Sequence, residues 1–270
     1  MAPAGVASQI VHDLSVGELQ RFYREGLLRG RQLYRVEQAA TLRDAIRRDV
    51  LGVPSRAACH EQFPPDERRE FDRHLDSALV YGLCTLPQIL APMRQTLGPD
   101  LMVFRSQFFD KRPQGLEVPW HQESYFWTVE KRWVTMWLAV DEVTLRNGVL
   151  QVVPGSHERT RQHRRVPATA RYWSTFAEAA VAPEYEEVLS CPTPAGGFIL
   201  MGDVLHRTLA NTSDQPRLTF AARYAAPSLE RVHDDAYAGH CCVMVSGTSG
   251  NSSLRFVEPP TEGRRLAELL

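Results

Sequence analysis

Apolar residues follow two rhythms along this chain, and the change comes after Gly98-Pro99. Before it they recur at helical spacing. Ser15-Val16-Gly17-Glu18 has the S-x-x-E form of a capping box, in which serine and glutamate side chains satisfy amides left orphaned at a helix start. Leu19, Phe22, Leu27 and Leu28 supply apolar positions behind it. Residues 35 to 49 and 66 to 96 also read as helical, the second led in by Pro64-Pro65-Asp66 and punctuated at Gly82 and Pro87. After residue 98 the pattern alternates in short runs: "LMVFRSQFF", "WVTMWLAVDEV", "GVLQVVPGS", "GFILMG" and "RLTFAARYA". Clusters of Gly, Pro, Asn and Asp separate them, so they read as strands. The stretch 158 to 190 is charged and contains proline; it reads as a partly helical insertion beside a pocket, in the manner of a lid. "SGTSGNSS" has the composition of a flexible linker, which leaves residues 254 to 270 loosely attached or packed on the surface.

Helices first and strands second point to an α+β fold with a mainly β core, a sandwich or jelly roll carrying N-terminal helices, rather than interleaved βαβ units. A chain of 270 residues suits one such domain. It would comprise a mainly helical part (1–98), a core (99–227) with the insertion 158–190, and an extension (228–270). Hydrophobic residues at 43% and charged residues at 23% suffice for a sizeable core. With 31 basic against 32 acidic side chains, net charge is -1, so no overall field attracts nucleic acid or an anionic bilayer. An anionic ligand must be met locally. Five cysteines without a repeated C-x-x-C spacing fit a reducing compartment and argue against a zinc-cysteine site. The start "MAPAGVASQIVHDLS" lacks a secretory pattern and no apolar run approaches the ~20 residues of a membrane span, so the expected location is the cytoplasm.

Three H-x-D/E triplets occur, and nine histidines should produce about one by accident. His74-Leu75-Asp76 lies in a helical pattern, where i and i+2 point about 200° apart. His233-Asp234-Asp235 follows the last strand and has only His240 beyond it. His121-Gln122-Glu123 lies in an extended context, where i and i+2 face one side and can converge on one ion. His206 falls between two strands and is the natural third ligand. Arg217, eleven residues on, shares a strand face with Thr219, Ala221 and Arg223. A buried arginine needs an anionic partner, and a ligand carboxylate can supply one. Two imidazoles and a carboxylate leave half an octahedral Fe(II) open for a chelating cosubstrate and dioxygen. A zinc hydrolase uses the same donor types, without a need for Arg217.

The blocks "PWHQESYFW", "MWLAVDEVTLRNGVLQVVPGSH" and "GDVLHRTLANTSDQPRLTFAARY" resemble, in order, those of the phytanoyl-CoA dioxygenase family of Fe(II)- and 2-oxoglutarate-dependent oxygenases. The resemblance runs from "LQRFYREGLL" to about Pro227. It implies a double-stranded β-helix with His121, Glu123 and His206 as the metal-binding and catalytic triad. It also implies Arg217 and Thr208 on the distal carboxylate of 2-oxoglutarate, with Gln107 and Trp137 lining the cosubstrate site. Lys111 and Trp127 are candidate substrate contacts. Asn147-Gly148 and Pro154-Gly155-Ser156 read as turn-forming scaffold. The family usually has aspartate where this chain has Glu123, which is expected to weaken iron binding without abolishing it and to make aspartate a tolerated substitution. Halogenating relatives vacate this position, so its retention favours hydroxylation of an unactivated C–H of a small organic substrate, free or linked to a carrier protein or CoA, in biosynthesis. Desaturation, epoxidation and cyclisation use the same site. The alternative outside the class is a binding module that has lost iron.

Overall fold

The computed structural model describes residues 13–57, 69–127, 132–167, 176–179, 187–229 and 241–270. The capping box forms as its sequence requires: the Ser15 hydroxyl accepts from the Glu18 amide at 3.3 Å and the Glu18 carboxylate accepts from the Ser15 amide at 2.9 Å. Helix α1 (Val16–Glu25) then ends at Gly26, whose φ of 73° places it in the left-handed region. A Cβ there would lie 2.4 Å from His157 Nδ1, so no larger residue fits. Leu27 and Leu28 therefore leave the helix that their spacing suggested and begin a strand, β1 (Leu27–Gln32).

Helix α2 (Val36–Ala45) continues as a π-helical turn over Ile46–Leu51. The long helical stretch expected to 96 divides into a 3-10 turn (Arg73–Leu75), α3 (Ala78–Cys84) and α4 (Pro87–Leu97); residues 66–68 lie outside the described residues. The break falls at Thr85-Leu86, because Pro87 lacks an amide hydrogen and suits the first turn of a new helix. Gly82 lies within α3, where Leu266 sits against it.

The strands that follow are β2 (Leu101–Lys111), β3 (Val118–His121), β4 (Trp133–Ala139), β5 (Leu150–Val152), β6 (His163–Val166), β7 (Phe176–Ala179), β8 (Leu189–Cys191), β9 (Gly197–Met201), β10 (His206–Thr208), β11 (Arg217–Ala225), β12 (Cys242–Ser246) and β13 (Phe256–Val257). A short helix, α5 (Ser124–Trp127), follows β3. One sheet has the order β1-β9-β4-β11-β2-β12-β13 and another β3-β10-β5-β8. Leu27, Trp137, Ile199 and Ala221 of the larger sheet pack with Leu150, Val152 and Cys191 of the smaller one. Its opposite face receives α1 to α4, with Phe108 and Phe220 stacked 4.6 Å apart in that layer. Covered on both faces, β4 and β11 are buried at every position. Burial of both faces explains their nearly continuous apolar runs. This is the double-stranded β-helix with N-terminal helices that the resemblance implied.

One expectation changes, and of two alternatives for the tail one is found. Within 158–190 the described residues form strands, β6 pairing with β7 and β8 joining the smaller sheet, and no helix; residues 168–175 and 180–186 lie outside the described residues. The tail is packed. The Thr248 amide donates to Asp100 Oδ1 at 2.8 Å, β12 joins β2, and Leu266 is buried. Among the described residues no helix is long and apolar enough to cross a membrane.

Candidate metal centre

Antiparallel pairing of β3 with β10 sets His121 directly opposite His206. The two imidazole rings lie 4.1 Å apart. Each is oriented by its own backbone: Nδ1 of His121 donates to the Pro119 carbonyl at 2.8 Å and Nδ1 of His206 donates to the Val204 carbonyl at 2.9 Å. That tautomer leaves Nε2 of each ring with the lone pair a metal needs. Glu123 completes the group. It lies in the turn between β3 and α5 rather than in the strand, so a change of backbone direction, not strand pleat alone, brings it beside His121. One donor atom from each residue falls within 4.8 Å of the others, and all three side chains are buried.

Electrostatics favour the ligating protonation states. Burial, aided by the charge of His206, pushes His121 down to about 3, so its ring is neutral at physiological pH. Burial by itself would raise the Glu123 carboxyl. The charges of Arg223, His121 and His206 outweigh it and hold the carboxyl below its ordinary range. Arg223 touches it directly, donating from a terminal nitrogen to Glu123 Oε1 at 2.5 Å. Burying a carboxylate and two imidazoles with their donor atoms convergent is costly unless a cation joins them, so the residues fit a metal ion.

On the larger sheet, register pairs Arg217 of β11 with Lys111 of β2. Burial lowers the Arg217 guanidinium to about 10, which leaves it cationic. It donates to Thr219 Oγ1 at 2.9 Å, to the Gly148 carbonyl at 2.5 Å and to the Asn147 carbonyl at 3.3 Å. Lys111 Nζ donates to Thr208 Oγ1 at 2.9 Å and to the Leu209 carbonyl at 2.6 Å. Among the described residues neither cation makes an ion pair within 4.0 Å. A buried arginine, an adjacent half-buried lysine and a hydroxyl fit an incoming carboxylate.

Gln107 and Trp137 both pair with Ala221, which puts them on this face between the two ends. Trp137 packs among Leu150, Val152 and Ile199. Lys111, a candidate substrate contact from sequence, stands beside Arg217 and Thr208. The side chain of Trp127 lies outside the described residues, as does His233-Asp234-Asp235. His74 is held by Ser106 Oγ at 2.7 Å and Asp76 by Arg73 at 2.9 Å, so that triplet is structural.

Sequence reasoning passed over three contributors. Arg223 carried the signal of sharing Arg217's strand face, but its partner was invisible. Gln122, the middle residue of the triplet, is fully buried; its amide donates to the carbonyls of Arg159 (3.0 Å) and Asp203 (2.9 Å) and accepts from the Arg161 amide at 2.7 Å. Asp203 in turn accepts from both the amide (2.9 Å) and the hydroxyl (2.7 Å) of Ser124. The turn at Asn147-Gly148 does more than reverse the chain, since its carbonyls hold Arg217.

A β-helix enclosing two histidines and one carboxylate has the ligand set of the non-haem Fe(II) oxygenases. The family model described as Phytanoyl-CoA dioxygenase (PhyH) matches residues 22–219, and the chain belongs to that family. "Phytanoyl-CoA dioxygenase domain-containing protein 1" of Mus musculus is 31% identical over 154 residues, 54% of this chain and 53% of that protein. The chain thus spans about half the length of that relative. The "Probable alpha-ketoglutarate-dependent hypophosphite dioxygenase" of Stutzerimonas stutzeri is 25% identical over 255 residues, 86% of each chain. Among solved structures, the non-heme monooxygenase ThoJ in its apo form superposes with a TM-score of 0.72 at 20% identity, over 90% of this chain and 88% of that one.

Proposed function

We propose that this chain is an Fe(II)- and 2-oxoglutarate-dependent oxygenase that oxidises, by hydroxylation, a C–H bond of a small organic substrate. The observation that carries the reading is that the His121/Glu123/His206 group, held by the smaller sheet, and the Lys111–Arg217 cation pair of the larger sheet meet between the sheets, Lys111 donating to Thr208 two residues from His206 on β10. A cosubstrate with a metal-chelating end and a distal carboxylate matches both. In this reading His121, Glu123 and His206 hold the metal. Arg217, Lys111 and the Thr208 hydroxyl hold the distal carboxylate, and Gln107 and Trp137 flank the cosubstrate between them.

When bound, Fe(II) with 2-oxoglutarate and dioxygen supplies the oxidising power for C–H cleavage, the cosubstrate leaving as succinate and CO2. The chain's own work is orientation and exclusion. Backbone carbonyls fix the two imidazoles, the cation pair sets how deep the cosubstrate sits, and the buried walls keep water from the reacting atoms. Retention of Glu123 keeps the third protein ligand in place, which supports hydroxylation over halogenation. The four described cysteines are buried outside any disulfide, in keeping with a cytoplasmic setting.

Anaerobic titration with Fe(II) and then 2-oxoglutarate tests the reading. A weak visible charge-transfer band should develop only when both are present, and succinate should form when air is admitted. A chain that gives no band at saturating iron is not this enzyme.

A further inference from the structure

Glu123 is longer by one methylene than the aspartate usual at this position, and Arg223 accounts for the length. The guanidinium sits on β11, a strand buried at all nine positions, as cross-strand neighbour of Thr135 and Arg105. It cannot advance to follow a shorter carboxylate. Its contact with Glu123 Oε1 is 2.5 Å, with the two side chains 5% and 7% exposed. Such a short, charge-assisted bond fixes which carboxylate oxygen is taken.

On the oxygenase reading above, we propose that Arg223 is a positioning residue that occupies Oε1 of Glu123 and so makes this ligand monodentate. Coordination arithmetic gives the reason. An octahedral ion offers six positions, of which the protein supplies three donors, a chelating cosubstrate two, and dioxygen needs the last. A glutamate on a flexible side chain readily places both oxygens on one cation. That second oxygen would take a position the cosubstrate or dioxygen requires. With Oε1 committed to Arg223, only Oε2 remains for the metal, and the longer residue becomes compatible with the chemistry. Glu123 and Arg223 thus form a matched unit, and the departure from aspartate is compensated 100 residues away along the chain.

The test uses the full chain with Co(II) as the metal probe, read by its visible absorption with and without 2-oxoglutarate. Wild type should bind Co(II) and then 2-oxoglutarate. Arg223→Met should keep Co(II) affinity within about threefold while losing 2-oxoglutarate affinity by about tenfold or more. Its Co(II) bands should shift as the second carboxylate oxygen displaces an exchangeable ligand. Arg223→Lys, which restores a cationic donor, should recover most of both losses. A general structural defect would not separate the two affinities, nor would it be rescued by lysine. Thermal unfolding of the metal-free variants checks the fold, and Arg223→Gln carries the same comparison if Arg223→Met does not fold. Wild-type spectra and 2-oxoglutarate affinity in Arg223→Met or Arg223→Gln would overturn the proposal. A parallel loss of Co(II) and 2-oxoglutarate would overturn it too, because Arg223 would then serve metal affinity and not denticity. If wild type binds neither probe, the oxygenase reading itself fails; if it binds both and the variants match it, only this inference does.

Discussion

Lys111 should take up a proton when 2-oxoglutarate binds. Burial, and after it the charge of Arg217, brings its ammonium down to about 7, with Glu117 opposing part of the shift. The amine is held 2.9 Å from Thr208 Oγ1 and 2.6 Å from the Leu209 carbonyl, in register with Arg217. A carboxylate arriving between the two cations adds the opposite charge now missing and returns Lys111 to its protonated form. With a value near 7, roughly half of the free protein carries that proton at pH 7, and about 3% does at pH 8.5. If only the ammonium form binds, affinity falls about fifteenfold across that interval, or about 1.6 kcal/mol.

Calorimetry of 2-oxoglutarate binding to the Co(II)-loaded protein, at pH 8.5 in two buffers of different ionisation enthalpy, measures the uptake directly. Nearly one proton per ligand is expected. Lys111→Met should abolish both the uptake and the pH dependence. A flat affinity from pH 7 to 8.5 with no buffer dependence would refute the reasoning, since it would mean that Lys111 is already charged or that the carboxylate sits elsewhere. The same shift has a stability consequence. Because the folded-state value lies below the unfolded 10.5, the unfolded chain holds a proton that the folded one has released between about pH 7 and 10.5. This group therefore adds stability to the ligand-free protein as pH rises through that window, and the gain is absent below about 7.

Arg217→Ala should raise the 2-oxoglutarate requirement on the order of a hundredfold, as expected for losing two charge-assisted hydrogen bonds, while changing the metal requirement little; equal effects in the Co(II) titration would count against its role. Gly148→Ala places a Cβ 2.7 Å from the Leu209 carbonyl and 3.0 Å from an Arg217 terminal nitrogen at a φ of +94°, so it should destabilise by roughly 1–3 kcal/mol in denaturant unfolding and weaken 2-oxoglutarate more than metal. Gln122→Leu leaves the Arg161 amide and the Asp203 carbonyl without its side chain and should cost about 2–4 kcal/mol, with a lower Tm and weaker Co(II) binding.

The fold was legible because burial of both faces of β4 and β11 writes itself as long apolar runs, and because the capping box and Pro87 mark helix starts by local chemistry. What local chemistry could not show is which of two structures an apolar pair joins. Leu27 and Leu28 fit the helical spacing of α1, and only the left-handed Gly26 packed against His157 explains why they pair with β9 instead. The metal group was legible for a similar reason. His121 and Glu123 are near neighbours in the chain, and His206 and Arg217 lie eleven residues apart on successive strands. Arg223 was hidden because its value lies in a partner on another strand, and Lys111 because its register with Arg217 is a property of the sheet.

On the proposed function, register also accounts for how a chain with a net charge of -1 would bind a dicarboxylate. The β2–β11 pair sets Arg105 opposite Arg223 and Lys111 opposite Arg217, so four cations line one sheet face from end to end. Like charges so placed in a poorly solvated interior repel, and each must be answered. Asp72 answers Arg105 at 2.9 Å and Glu123 answers Arg223, which accounts for the metal end. No carboxylate of the described residues lies within 4.0 Å of the other pair, and the charge of Arg217 adds to burial in depressing Lys111. The apo protein thus stores at that end an electrostatic cost that a distal carboxylate relieves on arrival. Selectivity for a dicarboxylate over a monocarboxylate keto acid follows from the same arrangement, because a ligand lacking the second charge would chelate the metal and leave the cation pair unanswered.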